Sequence, residues 1–250
     1  MLTDDQLDRY ARHLILREVG GAGQARLLAS RVLIVGAGGL GAPVALYLAA
    51  AGVGTLGIVD ADTVALSNLQ RQVLYRTEDV GRPKVEAARE ALARLDPGIR
   101  VEAHALHLED ASARAMVDNY DLILDGTDNF ATRHAVNRAC VAAGKPLVSG
   151  AVAQFEGQVA TFKGHLPGDH PCYHCFVPEG TQAAANCAAQ GILGAVTGVV
   201  GSLMAVEALK ELLGIGDGLA GRLVLYDALS ARFRTLRLHR DPACPVCSGG

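Results

Sequence analysis

The chain has no tryptophan, and its aromatic residues make up only 4% of 250 positions. Stacking platforms for single-stranded nucleic acid need ranks of aromatic side chains, so that class of partner is disfavoured at once. Lysine and arginine form no cluster and the net charge is −3, which leaves no basic face for a phosphate backbone. No apolar segment reaches the roughly 20 residues of a membrane span; the uncharged run at 191–206 stops at Glu207, Lys210 and Glu211. The N-terminus carries Asp4 and Asp5 where a secretory signal would need a basic segment and then an apolar core. A cytoplasmic protein with no membrane and no nucleic-acid partner is the expectation. There is also no G-x-S-x-G nucleophile signature, no ligand spacing among the histidines, no internal repeat and no low-complexity linker.

What is present is core-forming. Half of the residues are hydrophobic, enough for one large α/β domain over 1–250. Patterning predicts strands near Arg31–Val35, Thr55–Val59, Arg100–His104, Leu122–Leu124, Leu147–Ser149, Gly157–Phe162, Leu223–Tyr226 and Arg232–Leu238. Helices are predicted over Thr3–Arg17, Ala42–Ala51, Lys84–Leu95, Ala111–Asn119, Asn129–Ala143 and Ile192–Leu213, the first opened by a Thr3/Gln6 capping box. The fold class is therefore α/β: a Rossmann-like doubly wound sheet, extended by later strands that lack intervening helices and must pair antiparallel. It divides into a helical arm (1–27), a nucleotide-binding half (28–165) and a C-terminal half (166–250).

The first strand runs straight into Gly36-Ala37-Gly38-Gly39-Leu40-Gly41 and a helix. Gly36, Gly38, Gly39 and Gly41 let the backbone approach a ligand, and the helix end attracts phosphate oxygens. The second strand ends in Asp60, whose carboxylate suits ribose hydroxyls. To this point NAD, FAD and ATP fit equally. The run Ser67-Asn68-Leu69-Gln70-Arg71-Gln72 follows on the ligand side, and Lys84 opens the next helix after Pro83. Two cations and an amide near a phosphate site suit a triphosphate better than a dinucleotide. Another buried strand leads into Asp125-Gly126-Thr127-Asp128-Asn129, where Asp128 is placed to hold Mg²⁺ between phosphates. Taken singly, Arg71 and Lys84 read as solvated charges and Asp128 as a helix cap. Their succession at neighbouring strand ends favours the site.

Cys172-Tyr173-His174-Cys175 and Cys244-Pro245-Val246-Cys247 are two C-x-x-C knuckles. Four thiolates match a closed, structural Zn²⁺ site that pins the C-terminal tail. Disulfides are disfavoured in a cytosolic chain, and a redox dithiol needs only one pair. Cys187, in a stretch of small residues, reads equally as a reactive thiol or an inert one. Cys140 reads as core.

Arg9 to Leu16, Gly36 to Gly41, Asp60-Ala61-Asp62, Ser67 to Arg71, Gly81 to Lys84, Asp125 to Asn129 and both knuckles occur in this order. In that combination the whole chain closely resembles the MoeB/ThiF family, bacterial relatives of ubiquitin-activating enzymes. The resemblance implies a homodimer that adenylates the C-terminal glycine of a small ubiquitin-like sulfur carrier ending in Gly-Gly, for molybdopterin or thiamin synthesis. It implies ATP contacts from Gly39 and its neighbours, Asp60, Asp62, Ser67, Asn68, Leu69, Gln70, Arg71, Lys84 and Asn129, and magnesium at Asp128. Arg12 would reach into the partner subunit's site. Cys187 sits where some relatives carry a cysteine that links to the carrier. The sulfur donor, a cysteine desulfurase or sulfurtransferase, is expected to be a separate protein. An NAD-dependent oxidoreductase shares the glycine fingerprint but leaves Arg71, Lys84, Asp128 and the knuckles without a role; a catalytically silent scaffold would keep the partner and lose turnover.

Overall fold

The computed structural model describes residues 2–181 and 191–248. Cys187 lies outside the described residues, so the two readings of that thiol stand as they are.

One eight-stranded sheet organises the chain, in the order β3-β2-β1-β4-β5-β6-β7-β8. The strands are β1 (Arg31–Val35), β2 (Thr55–Val59), β3 (Arg100–His104), β4 (Leu122–Asp125), β5 (Leu147–Ala153), β6 (Glu156–Phe162), β7 (Arg222–Asp227) and β8 (Arg232–Arg237). β3, β2, β1, β4 and β5 run parallel, and β6 to β8 add antiparallel. The doubly wound sheet with an antiparallel extension is thus the predicted one. Strand order reverses between β1 and β4, which opens a crevice at their carboxyl ends.

The helices are α1 (Asp4–Arg9), α2 (Ala11–Leu14), α3 (Gly20–Ala29), α4 (Gly41–Ala50), α5 (Lys84–Leu95), α6 (Asp110–Val117), α7 (Phe130–Ala143), α8 (Tyr173–Phe176) and α9 (Gly194–Leu213). Alternation along the strands sorts two cores. Val32, Ile34, Leu56, Ile58, Leu122 and Leu124 face α3, α4, α5 and α9. Leu33, Val35, Val59 and Ile123 face α6, α7 and α8. None of the helices among the described residues is long and apolar enough to cross a membrane.

Besides the short α8, which the patterning does not predict, two features depart from the predicted elements. The expected helix Thr3–Arg17 is broken at Tyr10, which leaves helical geometry at φ −100° and ψ 14°. The Tyr10 ring is drawn inward, 4% exposed, and its hydroxyl donates to Asp96 Oδ2 at 2.7 Å. The capping box at Thr3 and Gln6 forms as predicted. The unpredicted α3 is rich in glycine, which masks it from propensity; it is held by buried Leu27 and by Gln24, whose Nε2 donates to the Ala51 carbonyl at 2.9 Å.

The small residues of α9 serve packing within the chain. A Cβ at Gly194 would strike the Gln70 carbonyl, and one at Gly201 the Pro43 ring, whereas Gly198 faces open space. The start of α9 is thereby pressed onto the segment that carries Arg71.

Tyr10→Phe keeps the ring and deprives the buried Asp96 carboxylate of a donor. Urea unfolding should show a loss of about 1–3 kcal/mol; an unchanged midpoint would contradict the anchoring role given to this contact.

Candidate functional site

The site is built from backbone turns at the crevice. Gly36 has φ +90°, a left-handed conformation open to glycine, and its N–H donates to the Val59 carbonyl at 2.9 Å. A Cβ at Gly41 would overlap the Gly36 carbonyl oxygen, so the turn closes this tightly only with glycine there. Ala37 is held at both ends. Its N–H donates to Asp60 Oδ2 at 2.8 Å, and its carbonyl accepts from the Tyr75 hydroxyl at 2.7 Å. Burial, then the carboxylates of Asp60, Asp79 and Asp62, push the Tyr75 phenol up, which keeps it a neutral donor. The N–H groups of Gly39 and Leu40 find no acceptor among the described residues and lie at the N-terminus of α4, where the helix dipole favours an anion.

Beneath the turn lies an ion cluster. Lys84, the first residue of α5 and 5% exposed, places Nζ 2.7 Å from Asp62 Oδ2 and 3.6 Å from Asp60 Oδ2. Asp60 Oδ1 also accepts the Asp62 N–H at 2.9 Å. Gly36 to Gly41, Asp60, Asp62 and Lys84 are thus brought together as the sequence anticipates.

The Ser67–Arg71 run forms a short turn over Leu66–Asn68. Ser67 and Gln70 are exposed, Asn68 and Leu69 half-buried. Asn68 Oδ1 accepts the Ala65 N–H at 3.0 Å, and Arg71 Nη1 donates to the Ser67 carbonyl at 3.0 Å. The Arg71 stem lies against Gly39, its Cγ 3.5 Å from where a Cβ would stand.

The turn after β4 abuts the glycine turn. A Cβ at Gly36 would come within 3.1 Å of Thr127 Cγ2, and one at Gly126 within 3.0 Å of Leu40 Cβ. Asp128 is exposed and makes no hydrogen bond or ion pair among the described residues. The cap that Asp128 was offered as an alternative belongs to Asn129, whose Oδ1 accepts from Ala131 N at 2.9 Å and Thr132 N at 3.3 Å. A carboxylate free of the helix end is what a cation would need. Arg12 is exposed on α2 and likewise has no partner among the described residues.

Residues that sequence reasoning passed over complete the site. Gln72 is 3% exposed, its Oε1 without a hydrogen-bond partner among the described residues, and Thr197 on α9, whose hydroxyl donates to the Gly194 carbonyl at 2.7 Å, has the Arg71 carbonyl 3.4 Å away. Asp125 and Arg133 flank Thr127. Asp125 left a trace as the first acid of its strand end and Gln72 as the last residue of the run that begins at Ser67; Arg133 and Thr197 act through contacts distant in sequence.

The second centre is the knuckle pair. The Sγ atoms of Cys172, Cys175, Cys244 and Cys247 all lie within 4.8 Å of one another. Sulfur separations of 3.9, 3.7 and 3.4 Å lie around the roughly 3.8 Å edge of a tetrahedron with Zn–S near 2.3 Å. Neighbouring groups fit thiolate ligands: Asn137 Nδ2 donates to Cys172 Sγ at 3.5 Å. His174 Nε2 accepts the Glu179 N–H at 3.4 Å, so its Nδ1 carries the proton facing Cys244 Sγ at 3.7 Å. Without a cation, burial pushes the Cys172 thiol up and Cys175 to about 11. Against the push of burial, hydrogen bonds with the other thiols hold Cys247 low. A dication would resolve this conflict.

The ThiF family profile matches residues 10–246. The sulfur carrier protein adenylyltransferase of Thermus thermophilus is 54% identical over 251 residues, spanning 98% of this chain and 92% of that protein. The SAMP-activating enzyme E1 of Haloferax volcanii is 47% identical, over 100% and 92% of the two chains. The molybdopterin-synthase adenylyltransferase of Escherichia coli is 47% identical over 98% of both. Among solved structures, that of E. coli MccB with ATP superposes at TM-score 0.81 and 25% identity, covering 96% of this chain and 73% of MccB.

Cys175→Ser opens one corner of the cluster. Metal analysis of the purified protein should find zinc in the native chain and a marked loss in the variant, with a lower thermal midpoint; full zinc retention would contradict the four-thiolate site.

Proposed function

Since the chain belongs to the ThiF family, we propose that it adenylates the C-terminal glycine carboxylate of a ubiquitin-like sulfur carrier, using ATP and releasing pyrophosphate. The observation that carries this reading is the junction of the two turns at the β1/β4 crevice. There a glycine turn and helix end meet two cations, Arg71 and Lys84, on one side and the unpaired Asp128 on the other. Relatives named as adenylyltransferases at 54% and 47% identity support the same chemistry over an oxidoreductase with a shared fingerprint.

The reaction explains the composition of the site. A C-terminal carboxylate has a pKa near 3.5 and is already ionised at neutral pH, so no general base is required. The difficulty is to bring that anion in line with the α-phosphorus of a polyanionic nucleotide. Charge must be offset where it develops. In this reading the N–H groups of Gly39 and Leu40 receive phosphate oxygens, Asp60 faces the ribose, and Lys84 and Arg71 draw charge from the phosphates. Ser67 to Gln70 and Asn129 line the same nucleotide cleft. Asp128 holds magnesium, which when bound neutralises phosphate charge. The acyl adenylate then activates the carrier for sulfur supplied by a separate donor, a cysteine desulfurase or sulfurtransferase.

Two further elements belong to the reading. The four knuckle cysteines hold Zn²⁺ as a structural staple, away from the reacting atoms. Arg12, exposed and unpaired, serves the site of the partner subunit in a cytoplasmic homodimer, where a guanidinium supplied in trans adds the remaining positive charge.

Exchange of labelled pyrophosphate into ATP, with Mg²⁺ and purified carriers ending in Gly-Gly offered one at a time, should occur with a matching carrier. Asp128→Ala should lower it by about 100-fold or more at an unchanged thermal midpoint. No exchange with any carrier, in folded native protein, would overturn the reading. For the trans placement, inactive Arg12→Ala and inactive Asp128→Ala proteins are mixed under conditions of subunit exchange. Recovery of activity is expected; continued silence despite demonstrated heterodimers would remove Arg12 from the partner's site.

A further inference from the structure

Arg133 lies on α7, one turn past the Asn129 cap, and is 6% exposed. Its Nη2 donates to the Gly150 carbonyl at 2.8 Å and to the Thr127 carbonyl; its Nη1 reaches Ser149 Oγ at 3.4 Å. The guanidinium also stands 5.9 Å from the centroid of the Tyr173 ring. On the other side of Thr127 stands Asp125, fully buried. Asp125 Oδ1 accepts the Thr127 N–H at 3.0 Å and the Thr127 hydroxyl at 2.7 Å, while Oδ2 has no hydrogen-bond partner among the described residues.

We infer that Arg133 and Asp125 are positioning residues that clamp Thr127 from both sides and thereby fix where the next residue, Asp128, presents its carboxylate. The inference rests on the magnesium role proposed for Asp128. An arginine needed only to tie α7 to β5 would be satisfied by Ser149 and Gly150. Its further bond to the Thr127 carbonyl joins it to the turn instead. A buried carboxylate with an orphan oxygen is costly, and here its other oxygen is spent wholly on Thr127. The clamped residue is also the one whose methyl meets Gly36, so its position sets the spacing between the two turns. Among the described residues Asp128 has no hydrogen bond or ion pair of its own to hold it. Its place comes from the peptide before it and from the Asn129 cap after it.

The test is equilibrium dialysis of labelled ATP against the full-length protein while MgCl₂ is titrated, with thermal midpoints measured in parallel. Asp128→Asn should raise the half-saturating Mg²⁺ about tenfold or more, and Arg133→Lys should do the same at a near-native midpoint, since a small misplacement suffices for such losses. The double variant should be no worse than either single one, because both act on one interaction. If Asp128→Asn binds Mg²⁺ and ATP like the native protein, the Asp128 assignment falls and the clamp with it. If Asp128→Asn is shifted but Arg133→Lys is not, or if the two losses add, the clamp alone is overturned. Should Arg133→Lys fail to fold, Thr127→Val takes its place in the same cycle. It retains a methyl against Gly36 and removes the hydroxyl bond to Asp125, and the same outcomes decide.

Discussion

The carboxylate of Asp60 is the constraint from which the crevice at the ends of β1 and β4 is built. One oxygen receives the Ala37 N–H and the other the Asp62 N–H, so the glycine turn and the stretch beyond β2 are both fastened to the end of β2. Its charge is offset by Lys84, which is also the first residue of α5. Three chain segments thus meet at one side chain. An ion pair this enclosed gains little net stability, because desolvation consumes most of the attraction. What it secures is position. The turn, the cation and the helix start are set relative to one another before any ligand arrives, so less reorganisation remains for the reaction.

The same device recurs at the neighbouring turn. Ala37 has a carboxylate at its N–H and a phenol at its carbonyl; Thr127 has a carboxylate at its N–H and a guanidinium at its carbonyl. Each turn is gripped across one residue by an anion on the donor side and a donor on the acceptor side. Between them the backbones touch through Gly36, Gly41 and Gly126. Side chains there would part the turns and widen the cleft, so the glycines and the grips serve a common end.

Much of this was legible in the sequence. All eight strands were readable from short β-branched runs, and the crevice followed from the alternation of strand and helix. Gly36 to Gly41, Asp60, Lys84 and the knuckles were readable because each is a local pattern with a local physical reason. The break at Tyr10 was not, because helical periodicity continues through it and the cause lies at Asp96, 86 residues away. Helix α3 was hidden by Gly20, Gly21 and Gly23, whose propensity argues against a helix that tertiary contact sustains. Tyr75 and Arg133 left no signal for the same reason as Tyr10: each acts on a backbone carbonyl that only the fold brings near.

Helix α7 shows how the two centres come to share one frame. Arg133 and Asn137 are four residues apart and so lie on one face, about 6 Å along the axis. Arg133 grips the turn that presents Asp128. Asn137 donates to Cys172 Sγ and accepts the Tyr173 N–H at 2.8 Å, so it holds the first knuckle at the helix it opens. Both side chains are buried polar groups with bonds fixed by position on a rigid element. Tyr173 closes the circuit, since its ring lies beneath the Arg133 guanidinium. The cysteine cluster is thereby tied to the turn that carries Asp128. The tail after β8 joins this frame through Cys244 and Cys247, and His239 and Arg240 also fasten it to Asp169 and the Leu166 carbonyl. Its link to the first knuckle runs through thiols, whose joint ionisation a bound cation would favour.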